Sequence, residues 1–382
     1  MCVLQKINIC NKLLNYNFIY NSNFYKPHLV MKNLSLITSF ALLGALSAYG
    51  ANTLWQGSVS NDFTNDANWN NGAPTGIDIA TVRAGATTTL TGVAETDQMR
   101  VGQNTGIGAT TTVNFNTGSD YSSNRTEIGY SLGSDTSASN GTLNVNDGTH
   151  AITTLYVANK AQASNANDVT GTVVINGGSL SVESNAYIAT ASNYSSGSST
   201  ATVTVNAGTL NYTGTSGQFY LGHTGSGTLH VNGGTVNLAN GLKLSHTANG
   251  SSNLRLSSGQ LNVTGGFFDW GAGSANMAFE ISEGTMVLNG SRVGKLDQYF
   301  GTDGTDGLAT VSMVGGLVDD SAFSSVYTQD LRQIEIDGYT LNYGYDGTDT
   351  GVWATAIPET SSLGIFGLAL FAGFWHSRSR RK

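Results

Sequence analysis

Asp303 and Asp306, in the run GTDGTDG over residues 301–307, are the acids best spaced to offer hard oxygen ligands to a calcium ion. The run lacks EF-hand spacing and does not recur as a glycine–aspartate array, so it reads as a polar loop. Acid–base work on a polysaccharide would need a carboxylate pair with arginine or lysine beside it to stabilise developing negative charge. Between residues 51 and 375 only nine lysines and arginines occur, and their scatter puts none on a shared face with two acids. His150, His223, His230 and His246 have no H-x-x-x-H spacing and no cysteine partner, and read as isolated surface histidines. Serine is too abundant for spacing to single out a Ser-His-Asp set. The sequence therefore points to no catalytic residues, no metal centre and no cofactor.

Binding is better signalled than catalysis. Tyr156, Tyr187 and Tyr220 each sit between two apolar residues, in Leu155-Tyr-Val157, Ala186-Tyr-Ile188 and Phe219-Tyr-Leu221. If the neighbours point inward, all three rings point outward, in a row stepping about 5 Å from one strand to the next. Such a row could pack against successive units of an exopolysaccharide, or serve as a cross-strand ladder that stabilises the sheet. Ice or crystal-surface binding would need two aligned outward threonine columns, and the threonines stack poorly for that.

These residues are placed by a repeated phrase. TTVNFNTGS begins at residue 111, GTLNVNDGT at 141, GTVVINGGSLSV at 171, ATVTVNAGTLNY at 201, GTLHVNGGTVNL at 227, SNLRLSSGQLNV at 252 and MAFEISEGTMVL at 277, with a weaker ATVSMVGGL at 309. Apolar residues two apart mark strands, and the Asn-x-Gly between them tolerates positive φ. A third short strand follows in each unit. Three strands and three bends make one turn of a solenoid, so the expected fold is an all-β, right-handed parallel β-helix of about eight coils. Phe115, Val145, Ile175, Val205, Val231, Leu256 and Ile281 form its predicted inner column, and Asn116, Asn146, Asn176, Asn206 and Asn232, followed by Ser257 and Ser282, an amide column. One coil alone cannot offset the entropy of ordering its backbone, so stability must belong to the stack.

Composition agrees: 49 Gly, 3 Pro and 11% charged residues favour short strands and turns. All 25 acidic residues stand against those nine cations between 51 and 375, which argues against a nucleic-acid partner. Both cysteines, Cys2 and Cys10, precede Met31. From Met31 a lysine, a short apolar run and Ala48-Tyr49-Gly50 form a signal peptide, so residues 1–30 read as a mis-annotated leader, 31–50 as the signal helix, and the mature chain as free of cysteine.

Residues 51–110 read as an N-terminal cap and first coil, 111–320 as regular repeats, and 321–356 as a C-terminal cap and linker. Trp55-x-Gly57, Asn68-Trp69 and Gly72-Ala73-Pro74 resemble the opening of exported Gram-negative repeat proteins, including those with autotransporter-associated β-strand repeats. Trp55, Phe63 and Trp69 would make a hydrophobic lid over the first coil. At 357–382, Pro358-Glu359-Thr360, an apolar stretch to Trp375 and the tail Arg378, Arg380, Arg381, Lys382 resemble the PEP-CTERM protein-sorting signal, with Thr360 where the family usually has proline. That resemblance implies a C-terminal transmembrane sorting helix with its basic end in the cytoplasm. It further implies signal peptidase and an exosortase-like enzyme as processing partners. The precursor would be anchored in the inner membrane, and the product displayed on the cell surface or in the extracellular matrix of a Gram-negative bacterium. The expected role is structural or adhesive and non-catalytic, with a polysaccharide-binding or polysaccharide-degrading β-helix as the alternative.

Overall fold

Side chains of an extended strand alternate between its two sides, and here every second residue of the repeated phrase is enclosed. Ser139–Val145, Val169–Ile175 and Ser199–Val205 each alternate between buried and solvent-facing residues along their length. In the computed structural model the described residues run from 50 to 356, without 84, 104–108, 133–136, 162–166, 192–197, 216, 266–267, 272–275, 302–306, 314–320 and 337. The leader, the signal segment, the sorting signal at 357–382, and Asp303 and Asp306 lie outside them.

The chain is all-β and winds as a solenoid of about eight turns. The regular turns lay one strand on each of three parallel faces, and after Thr285–Asn289 the helix Val293–Phe300 takes the place of the third strand. The first face carries Thr87–Leu90, Thr111–Phe115, Ser139–Val145, Val169–Ile175 and Ser199–Val205, the front halves of Ser226–Leu238 and Ser251–Val263, and then Met277–Ile281 and Ala309–Met313. From Thr87–Leu90 to Met277–Ile281 the second face continues these strands beyond a glycine-containing bend, and the third holds the short strands around the tyrosines.

The predicted inner column is continuous. Leu90, Phe115, Val145, Ile175, Val205, Val231, Leu256, Ile281 and Met313 are register partners in succession, and all are buried. At the first bend the amides bond coil to coil: Asn146 donates to Asn116 at 2.8 Å, Asn176 to Asn146 at 2.9 Å, Asn206 to Asn176 at 2.9 Å and Asn232 to Asn206 at 3.0 Å. The column ends there, because a register shift sets Ser258, and not Ser257, opposite Asn232. Two ladders that the repeat does not announce run elsewhere: Asn144 donates to Asn114 at 2.8 Å, and Asn262 to Asn237 to Asn211 at 2.8 and 2.9 Å.

The threonines make one regular outward file, and the neighbouring file holds only two of them level. Thr87, Thr112, Thr142, Thr172, Thr202 and Thr228 form one outward file on the first face. Thr170 and Thr200 stand level with each other in a neighbouring file. β-Branched side chains in register favour the pleated surface and pack against one another, which accounts for the file.

Both ends of the stack are covered. Asn61 and Phe63 exchange backbone hydrogen bonds with Thr89, closing the outer edge of the first strand. Beside them Trp69 meets Trp55 and Phe63 edge-on at 5.1 and 5.0 Å and donates its indole N–H to the Phe63 carbonyl at 2.7 Å. All three rings are buried with the first-coil core. At the far end an antiparallel meander, Gln329–Ile336, Tyr339–Tyr345 and Asp349–Ala356, sets its last strand against Thr285–Asn289. The amphipathic helix Val293–Phe300 buries Val293, Leu296, Tyr299 and Phe300 beside it. Covering strand edges in this way blocks edge-to-edge association. Among the described residues no helix is long and apolar enough to cross a membrane.

The corner after the third face has one conformation over six successive coils. Gly102, Gly129, Ala158, Ala189, Gly222 and Ser245 occupy equivalent positions and all have positive φ. A Cβ on Gly222 would lie 2.1 Å from the Ser251 carbonyl oxygen, so that corner has no room for a side chain. Gly222→Ala should therefore cost more than about 2 kcal/mol, through strain and overpacking together. Ala158→Gly should stay within about 1 kcal/mol of the parent, because relief of a left-handed alanine, about 1 kcal/mol, offsets a lost buried methyl, about 0.8 kcal/mol. Urea unfolding of the two variants checks this, and equal losses would show that the corner conformation is wrong.

Candidate functional site

Parallel pairing in register forces outward residues of successive coils into files. One file on the third face holds much of the chain's unusual chemistry: Arg100, Glu127, Tyr156, Tyr187, Tyr220, Lys243 and Asp269 are register partners in that order. The three tyrosines occupy the middle. Their centroids are 4.9 and 5.1 Å apart and their planes differ by 12° and 5°.

That geometry fixes what the row can offer. Rings stacked face to face at this separation leave no gap for a sugar ring between them, so the apolar faces are spent on one another. The outer face of Tyr156 is covered by the Arg125 guanidinium, whose carbon lies 4.5 Å from the ring centroid. The His246 ring lies 4.9 Å from Tyr220. What remains for a partner are the ring rims and hydroxyls. None of the three hydroxyls is both buried and unbonded, and among the described residues none has a protein partner. Burial raises the hydroxyl pKa of Tyr156, against the pull of Arg125, and that of Tyr220, with Tyr187 adding to it. The Tyr156 and Tyr220 phenols therefore stay protonated and can donate at physiological pH.

The cations are less scattered than their spacing implied. At one end of the file Glu127, fully buried, accepts from Arg100 Nε at 3.2 Å, from Arg125, from Gln98 and from Asn159 at 2.7 Å. Four donors satisfy a carboxylate that could not be buried alone. Arg100 also lies over Tyr130, 4.7 Å from its centroid. Arg125 keeps 42% of its side chain exposed. At the other end Lys295 Nζ is 3.0 Å from the Asp269 carboxylate, and Lys243 makes no ion pair among the described residues. One end thus gathers two cations around one carboxylate, and the other sets Lys243 level in register with the Asp269 that Lys295 pairs.

The histidines also differ from the sequence reading. His150 is enclosed in the core, its ring 4.4 Å from Phe115. His223 and His246 stack on each other at 4.9 Å, and His223 meets Tyr187 and Tyr220 edge-on at 5.2 and 5.0 Å. Spacing in sequence hid this pair because the two residues belong to different coils. Comparisons of the chain with family models, with curated proteins and with solved structures find no match.

Burial, with His246 and Lys243 adding to it, lowers the His223 pKa to about 4. The unfolded ring titrates near 6.5, so folding excludes a proton that the unfolded chain binds. The stabilisation is complete above about pH 6.5, is lost as pH falls toward about 4, and does not change further below that. The loss should be on the order of 1–2 kcal/mol once partial exposure is allowed for. Urea unfolding at pH 7 and pH 4.5 should show a smaller loss for His223→Gln than for the parent. Identical losses would mean that His223 is not held neutral.

Proposed function

We propose that the chain is an exported, non-catalytic, right-handed β-solenoid, displayed at the cell surface or in the extracellular matrix as a structural or adhesive rod. The sorting signal at 357–382, with its transmembrane helix, would be its address, and signal peptidase and an exosortase-like enzyme its processing partners. The observation that carries the structural part is how the polar side chains are used. Asparagine amides bond to the next coil at the same bend, Glu127 is saturated by its own neighbours, and both open ends carry covering segments. These groups serve coil-on-coil stacking, as a rod needs. No arrangement resembling an acid–base pair beside a cation emerges among the described residues.

The second reading, polysaccharide binding or degradation, is favoured in its binding form by the tyrosine file. Its ring faces are consumed, so contact would run through hydroxyls and the flanking cations.

Fractionation of the native host tests the main proposal. The body should be recovered at the surface or in the matrix without its last 25 or so residues, counted from the start of the sorting-signal resemblance. A full-length chain in the cytoplasm would refute it. Incubation of the purified protein with acidic polysaccharides, with and without calcium, should leave their chain length unchanged. Sustained cleavage would replace the rod with the degrading enzyme.

A further inference from the structure

We infer that the tyrosine file and the cation pairs at its two ends form a binding site for an acidic polysaccharide lying along the rod axis. The inference rests on the reading of the chain as an exported rod and gives its binding alternative a ligand class.

Charge supplies the first reason. Of the nine lysines and arginines between 51 and 375, four stand on this one stripe: Arg100, Arg125, Lys243 and Lys295. Within the file itself each end has one carboxylate, Glu127 or Asp269, with two of these cations on the same stripe. Arg125 is 42% exposed although it pairs with Glu127. Lys243, between Tyr220 and Asp269 in register, has no ion pair among the described residues. A guanidinium or ammonium exposed in this way is ready to take a carboxylate or sulfate.

Spacing supplies the second. Arg125 is in register with Thr154, one coil before Asn185, and Lys243 lies two coils beyond Tyr187. The two cations are thus four coils apart, roughly 19 Å at the usual distance between neighbouring strands. Between them the phenol hydroxyls repeat at each coil without protein partners among the described residues. Exposed cations at two ends joined by a row of phenol hydroxyls match a linear chain that carries both anions and hydroxyls. A neutral glycan would leave the cations unused, and stacking of sugars is blocked because the ring faces are occupied. A duplex phosphate backbone could use the cations but would face repulsion from the rest of the acidic body.

The test uses the full-length chain in native gels cast with polygalacturonate, with dextran as the neutral control and duplex DNA as the polyanion control. Polygalacturonate should retard the protein, added salt should relieve the retardation, and dextran should have no effect. Arg125→Gln with Lys243→Gln should weaken retardation about tenfold, as expected when two charge-assisted contacts, each worth a factor of a few, are lost. Arg255→Gln, which removes a cation paired with Glu280 on the first face, should leave it unchanged. Tyr187→Phe separates contact from stacking, because it keeps the ring and removes the hydroxyl. It should weaken retardation severalfold while the melting temperature stays the same. Should the double variant misfold, Lys243→Gln alone carries the test, since that lysine has no ion pair among the described residues to lose. Absence of retardation by polygalacturonate, equal retardation of the folded variants, or equal affinity for duplex DNA would overturn the inference. Surface recovery of the protein in the fractionation experiment would stand in any of those cases, so the two readings fail separately.

Discussion

Every feature of this molecule depends on register between successive coils. Parallel strands repeat at one spacing, and a slip of one residue would turn an apolar file outward and a polar file inward. Val145, Ile175 and Val205 therefore have to stand level. Once they do, Asn146, Asn176 and Asn206 also stand level and close an amide ladder that a slipped pairing would break. The apolar file supplies most of the stabilisation by area, and the amides make the register selective. Inner and outer columns thus specify the same alignment, and agreement of this kind between levels makes a repeat fold to one structure.

The same register decides what the outer surface can do. A side chain on one coil is held at a fixed small distance from its equivalents above and below, so like residues interact first with each other. The tyrosines stack, the threonines pack side by side, and the asparagines exchange hydrogen bonds. Chemistry directed at a partner is left to places where unlike residues meet in one file. On the third face that occurs where Glu127 meets Tyr156 and where Tyr220 meets Lys243. Functional capacity in such a rod therefore concentrates at breaks in the pattern, while the regular parts serve the stack.

Much of the fold was legible because alternation and period are local. The inner column from Phe115 to Ile281, the amide column as far as Asn232 and the outward tyrosine row can all be counted along the chain. What escaped depends on contacts between coils or on corners. Gly102, Ala158 and Ser245 share a left-handed corner, but three residue types disguise one conformation. Arg100, Arg125 and Glu127 are separated by one residue or by a whole coil, so their convergence is invisible until register is known. The helix at Val293–Phe300 and the antiparallel meander after residue 329 break the period, and period was the only guide available there.

Distance between spin labels at equivalent positions tests the stacking most directly. In a chain with Cys2 and Cys10 replaced, cysteines at 142 and 253 would carry labels four coils apart, and at 142 and 310 six coils apart. Backbone separations should be roughly 19 and 29 Å, growing in proportion to the number of coils between them. Separations that do not increase with coil number would contradict the stacked register on which the rest depends.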